Sequence, residues 1–289
     1  MTNDSYVEVP NGRVWYEIVG KGKKGVPLLT LHGGPGFPHD YIRSLEDLAS
    51  DRPVIFYDQL GCGRSDRPDN LDLWTVDHFV EELSIIRKEL KLDTIHLLGH
   101  SWGAMLAVDY ALEKASGLRS IVLASPPLSI KRWLEDAERN RSQLPKEVQE
   151  TLKKHEREGT TNTEEYKQAD RVYTMNFICR LSPAPDDLER ARKGAGDVVY
   201  ETMWGASESF MKGSRLESYE REDRLKELTM PVLFTCGRYD EASPEATASF
   251  HSQIPGSEFV VFEESAHLPH LEERDAFINV VRNFINRFD

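Results

Sequence analysis

Short, apolar, β-rich runs alternate with amphipathic helical patterns along most of this chain, and that alternation restricts its fold more than any other feature. "VPLLTL", "PVIFY", "TIHLLG" and "LRSIVLA" read as strands buried on both faces. Within "TVDHFVEELSIIRKELKL", Phe79, Leu83, Ile86 and Leu90 form one apolar face of a crossover helix, with Thr75 placed as its N-cap. The pattern resumes at "PVLFTCG" and "EFVVFEE" and closes in the amphipathic "DAFINVVRNFINRF". Such alternation predicts an α/β fold, a mainly parallel sheet flanked by helices, with its site beyond the carboxyl ends of the strands. The opening "SYVEVPNGRVWYEIVG" adds an antiparallel pair joined at Pro10-Asn11-Gly12.

Over residues 126–229 the alternation stops, and polar, mostly helical patterns such as "KEVQETLKKHERE" and "DDLERARK" replace it. So long a segment exceeds the needs of one crossover. The expected organisation is a core of residues 1–125 and 230–289 with an inserted helical cap, 126–229, over the strand ends, where it excludes water and shapes a pocket. A surface insertion without a role at the site is the alternative.

The net charge of −13 argues against nucleic-acid binding, which needs clustered Lys and Arg. No run approaches the roughly 18 apolar residues of a membrane span, and "MTNDSYVEVPNGRV" lacks the basic and apolar regions of a signal peptide. A cytoplasmic protein without membrane attachment is expected. Cys62, Cys179 and Cys236 are odd in number and far apart, which implies neither a disulfide framework nor a metal site. No cofactor is implied, and nothing in the sequence indicates a protein partner.

Chemistry concentrates at "GHSWG", residues 99–103. Ser101 directly follows the strand "TIHLLG" and precedes the helical "AMLAVDYAL", the strand-turn-helix setting that makes G-x-S-x-G a nucleophile elbow. On so tight a turn the strand and helix approach closely, and the flanking glycines avoid a Cβ clash. A serine hydroxyl needs a base and a group to orient that base. Asp240 falls just beyond "PVLFTCG" and His267 just beyond "EFVVFEE". The order Ser101, Asp240, His267 differs from the orders of chymotrypsin-like and subtilisin-like proteases. His270 is the competing base.

The loop "HGGPG" follows the strand "PLLT", and the backbone N–H groups of Gly34 and Trp102 are the candidate oxyanion donors. His32 is expected to brace this loop. A phosphate-binding reading fails on spacing, and Pro35 removes a donor.

Together these residues resemble the α/β-hydrolase fold and, within it, the proline iminopeptidases, closest to the tricorn-interacting aminopeptidase branch. The matching pieces are "HGGPG" at 32–36, "DQLGCGRSD" at 58–66, "GHSWG" at 99–103, "GRYDEASP" at 237–244 and "SAHLPHLEE" at 265–273. Many proline iminopeptidases read "DQRG" and "GGSWG" where this chain has "DQLG" and "GHSWG". The resemblance implies that Glu208 and Glu241 hold the free amino end of a substrate, through charge-assisted hydrogen bonds. Trp102 and Trp204 offer apolar walls for the first side chain, while Asp58 and Arg64 hold a loop beneath the site and Cys62 is a packed thiol.

The resulting expectation is a metal-free serine aminopeptidase. It would release an N-terminal proline, or another small or apolar residue, from short peptides or amino-acid amides through an acyl-enzyme. The alternatives are an amino-acid amidase or an esterase or lactonase on the same scaffold, and a non-catalytic ligand-binding protein.

Overall fold

A computed structural model describes residues 5–113 and 116–289. Each apolar run named above becomes a strand: β1 (Ser5–Val9), β2 (Gly12–Val19), β3 (Leu28–Leu31), β4 (Val54–Tyr57), β5 (Ile95–His100), β6 (Leu118–Ala124), β7 (Val232–Gly237) and β8 (Glu258–Phe262). They form one sheet in the order β1-β2-β4-β3-β5-β6-β7-β8, antiparallel at β1/β2 and β2/β4 and parallel from β4 to β8. Asn11 has a φ of 75° in the turn that pairs Val9 with Gly12. This is the predicted α/β architecture.

Helix α1 (Val76–Glu89) buries Phe79, Leu83 and Ile86, and the Thr75 side chain accepts the His78 N–H at 3.2 Å. Helix α2 (Trp102–Leu112) is apolar on all sides because it lies between the sheet and other helices, and Trp102 to Val108 are all buried. Two large apolar clusters cover the two faces of the sheet.

Between β6 and β7 the chain forms α3 (Ile130–Ser142), α4 (Lys146–Glu158), α5 (Glu164–Phe177), α6 (Asp186–Lys193) and α7 (Asp197–Met203). A small cluster of its own, including Leu152, Tyr166, Tyr173 and Phe177, packs this segment internally. The helical expectation fails over residues 204–221, which run as turns with an isolated bridge, Ser207 to Phe210. Gly205 and Gly213 take positive φ there, so the local sequence favours turns over a helix. The chain ends with α8 (Pro244–Ser252), α9 (Pro269–Glu272) and α10 (Arg274–Ile285). Among the described residues no helix is long and apolar enough to cross a membrane.

The tightest backbone approach fixes α2 against the sheet. A Cβ on Gly103 would stand 2.1 Å from the Leu31 carbonyl oxygen, and one on Gly99 would stand 2.1 Å from the Gly103 carbonyl oxygen. Both obstacles are backbone, so neither can swing aside. Gly103→Ala is therefore expected to destabilise the chain by roughly 1–3 kcal/mol or more, measured by urea unfolding. An unchanged midpoint would show that α2 can retreat without cost.

Candidate active site

Ser101 occupies the turn between β5 and α2 with φ 55° and ψ −123°, a conformation that costs a non-glycine residue on the order of 1–3 kcal/mol. Its N–H donates to the Ala124 carbonyl at 2.9 Å, tying the turn to the neighbouring strand. The turn presents Ser101 to a cavity of about 290 Å³, whose wall also includes Gly34, Asp170, Tyr200, Glu208 and His267.

His267 Nδ1 donates to Asp240 Oδ1 at 2.7 Å. Asp240 is held in turn by the N–H groups of Ala242, at 2.8 Å, and Gly237, at 3.2 Å. Burial works against a charged His267 ring, but the Asp240 charge and hydrogen bond, helped by Glu208 and Glu272, outweigh it and raise its pKa. No hydrogen bond joins Ser101 Oγ to His267 among the described residues. Such contacts often close only around a substrate. His270 is a poor rival, since burial drives its pKa down to about 3 and its ring packs on Tyr41, His100 and Phe277.

Gly34 has φ 108° and lies in the cavity wall. A side chain there would meet the Phe37 and Gly36 nitrogens at 2.6 and 2.7 Å, so only glycine keeps the loop in this shape. Trp102 is the first residue of α2, and an N–H in the first turn has no partner within its helix. The expected brace is present: His32 Nε2 accepts the Gln59 N–H at 2.9 Å, and the Gln59 side chain donates to the His32 carbonyl at 3.0 Å. Burial lowers the His32 pKa to about 4. Asp58 accepts the His39 ring at 2.7 Å and the Arg64 N–H at 2.9 Å, holding the loop beneath. Burial pushes the Cys62 thiol up, so it stays protonated.

Glu208 sits in the irregular segment after α7, where Tyr200 Oη donates to its Oε1 at 2.8 Å. Burial raises its pKa to about 7, against the lowering influence of His267 and the Tyr200 hydrogen bond. Glu241 follows Asp240 directly and is 1% exposed, with both carboxylate oxygens buried and without a hydrogen-bond partner. Burial first, then the charges of Glu208 and Asp240, push its pKa well above the carboxylate range. Leaving a buried charge unpaired costs on the order of several kcal/mol. This pair of glutamates therefore suits a cation.

Three contributors escape the sequence reading. Trp133 Nε1 donates to the Glu208 carbonyl at 2.8 Å, and its ring lies edge-on to His267 at 6.0 Å. Tyr200 reaches Glu208, and Asp170, its pKa raised to about 6 by burial, stands in the cavity wall. In sequence Trp133 and Tyr200 are ordinary apolar positions of amphipathic helices, with no signal that separates them from core. Of the two expected tryptophan walls, Trp102 points away from the cavity, while Trp204 lies against Glu208. The Trp102 indole turns into the core against Phe79 and donates to Gln59 at 2.8 Å, and Trp204 is fully buried against Trp133. Phe37, Ile178, Leu188 and Leu268 supply the apolar wall instead.

Residues 26–274 match the family model of the alpha/beta hydrolase fold. The chain is 45% identical to the proline iminopeptidase of Heyndrickxia coagulans, over 99% of each chain. Two solved structures are similar throughout. VinJ has a TM-score of 0.95 and 36% identity, covering 100% of both chains. The proline iminopeptidase of Mycobacterium smegmatis has a TM-score of 0.90 and 34% identity, covering 99% of this chain and 98% of the other.

The raised pKa of His267 has a measurable consequence. Only the neutral ring can take a proton from Ser101, so fluorophosphonate labelling of Ser101 should rise with pH, with a midpoint above the ordinary imidazole value of about 6.5. A midpoint at or below that value would contradict the charge arrangement around the ring.

Proposed function

From the membership of this chain in the proline iminopeptidases of the α/β-hydrolase fold, we propose that Ser101, Asp240 and His267 run a serine aminopeptidase that releases an N-terminal prolyl residue. Short peptides and amino-acid amides are the proposed substrates, and other small or apolar first residues fit the same apolar wall. Ser101 Oγ attacks the first carbonyl carbon while His267 Nε2 takes the hydroxyl proton. The N–H groups of Gly34 and Trp102 receive the developing oxyanion. His267 then gives its proton to the leaving amine, which departs as the acyl-enzyme ester forms. Water, deprotonated by His267, attacks that ester, and the amino acid leaves with Ser101 restored. Asp240 keeps the ring in the tautomer with its proton on Nδ1 and stabilises the imidazolium.

One observation carries the exopeptidase reading. Glu208 shares the cavity with Ser101, Glu241 interacts electrostatically with it, and neither forms an ion pair with Lys or Arg among the described residues. A prolyl amino end is a secondary ammonium with two N–H donors, a match for two carboxylates. Binding restores charge to both glutamates, and a substrate without the ammonium leaves them unpaired. The segment 126–229 serves in this reading as the cap, since α5, α6 and α7 supply Asp170, Thr174, Leu188, Arg192, Asp197 and Tyr200 to the cavity wall. The three buried, unpaired cysteines fit a reducing cytoplasmic setting.

Prolyl anilide and its N-acetyl derivative test this reading. Wild type should turn over only the free-amine substrate, and Ser101→Ala should abolish turnover. Glu241→Gln should raise KM for prolyl anilide roughly 10- to 100-fold, the loss of one charge-assisted hydrogen bond. Equal turnover of the acetylated substrate by wild type would refute amine recognition. As pH falls below about 7, Glu208 becomes protonated and KM should rise, a dependence that Glu208→Gln should flatten.

A further inference from the structure

His100, the residue before the nucleophile, joins three parts of the site through one fully directed chain of hydrogen bonds. Its Nε2 lies 2.7 Å from the His267 backbone carbonyl, which only accepts, so Nε2 carries the proton. The ring touches two further imidazoles, with centroids 4.8 Å from both His267 and His270. Burial, with those two rings beside it, holds the His100 pKa well below its ordinary value. A neutral ring has one proton, so Nδ1 must accept, and Tyr41 Oη donates to it at 2.8 Å. Having given its only proton to His100, Tyr41 Oη accepts the Gly33 N–H at 2.7 Å.

The two ends of this chain are backbone atoms of different catalytic parts. One is the carbonyl of the base His267; the other is the N–H beside Gly34, an oxyanion donor. The middle link is the neighbour of Ser101. His100 and Tyr41 both reach the cavity wall, and among the described residues the Gly33 N–H donates to Tyr41 alone. The base loop has further ties, from His267 N–H to the Ile178 carbonyl at 3.1 Å and from Ser125 Oγ to the His267 carbonyl at 3.2 Å. The His100 chain connects it to the oxyanion loop, beside the packing of His270 on Tyr41.

We propose that His100, with Tyr41, is a positioning residue that fixes the spacing between the base His267 and the oxyanion donor Gly34. This rests on the roles assigned above to Ser101, His267 and Gly34. A tetrahedral adduct needs both parts in register, whereas binding of the amino end at Glu208 and Glu241 does not. Displacements near 1 Å in a catalytic group cost roughly 100-fold in rate.

The test compares two inhibitors on the full chain. Pyrrolidine-2-boronic acid puts boron where the scissile carbonyl carbon stands and forms a tetrahedral adduct with Ser101. Pyrrolidine, which has the secondary ammonium and no carboxyl group, reports binding of the amino end alone. Tyr41→Phe and His100→Leu should lower kcat per fluorophosphonate-labelled site, and weaken boronate inhibition, by roughly 10- to 100-fold, while the Ki of pyrrolidine moves less than about 2-fold. His100→Gln keeps a donor for the His267 carbonyl and should recover part of the loss. Parallel weakening of both inhibitors, or unchanged kcat per labelled site, would overturn the proposal. If the first two variants fail to fold, His100→Gln decides alone: a flexible amide cannot hold donor and acceptor at opposite ends of a rigid ring, so a wild-type kcat refutes it. If wild type releases no proline from prolyl substrates, the proposed function has failed. If wild type does and the variants match it, only the role of His100 has failed.

Discussion

The site depends on the contact between Gly103 and the carbonyl of Leu31. It brings the start of α2 against the end of β3, where the loop bearing Gly34 begins, so the proposed nucleophile and oxyanion donors arise from one backbone approach. The same approach forces Ser101 to positive φ. That strain, on the order of 1–3 kcal/mol, is small beside the burial of α2. Met105, Leu106 and Val108 are fully buried, and each such side chain contributes roughly 1.5–3 kcal/mol. The helix can therefore hold the serine in a conformation it would not adopt alone.

Burial then sorts groups of the same chemical type into different roles. His100, His267 and His270 lie in mutual contact, and burial disfavours charge on all three. Of the three, His267 alone hydrogen-bonds a carboxylate, so it is the ring that most readily carries charge, as the proposed mechanism requires. The carboxylates divide similarly. Asp240 is surrounded by N–H donors and the His267 ring, whereas Glu241 makes no close hydrogen bond, has the Tyr173 hydroxyl nearby and is pushed towards its neutral form. In the proposed roles, one carboxylate serves the base and the other receives a cation.

Most of the fold was legible because strand burial and helix amphipathicity leave periodic signatures. The strand-end placement of Ser101, Asp240 and His267 was legible because each follows a strand directly enough to be counted from it. The bracing role of His32 followed from the same placement. The turn segment 204–221 was hidden by its polar composition, which suits helix and loop alike until Gly205 and Gly213 are weighed. Tyr200 and Trp133 were hidden for a different reason. Their function lies in a single hydrogen bond made by a side chain that otherwise packs as core, and periodicity records only the packing. The Trp102 wall failed because its indole, at the start of α2, turns to Gln59 and Phe79, a direction that the motif "GHSWG" does not encode.

The proposed amine site and the base are electrostatically linked, and the link has a direction. Glu208 raises the pKa of His267, and His267 opposes the upward shift of Glu208. An ammonium group held by Glu208 offsets that negative charge, so it favours the neutral, proton-accepting form of His267. A neutral ligand in the same cavity supplies no such offset. With the assigned roles, free-amine substrates thus gain twice, in binding at the glutamates and in the readiness of the base. Discrimination against a blocked amino end then falls on the chemical step as well as on affinity, the distribution expected when binding interactions are expressed in the transition state.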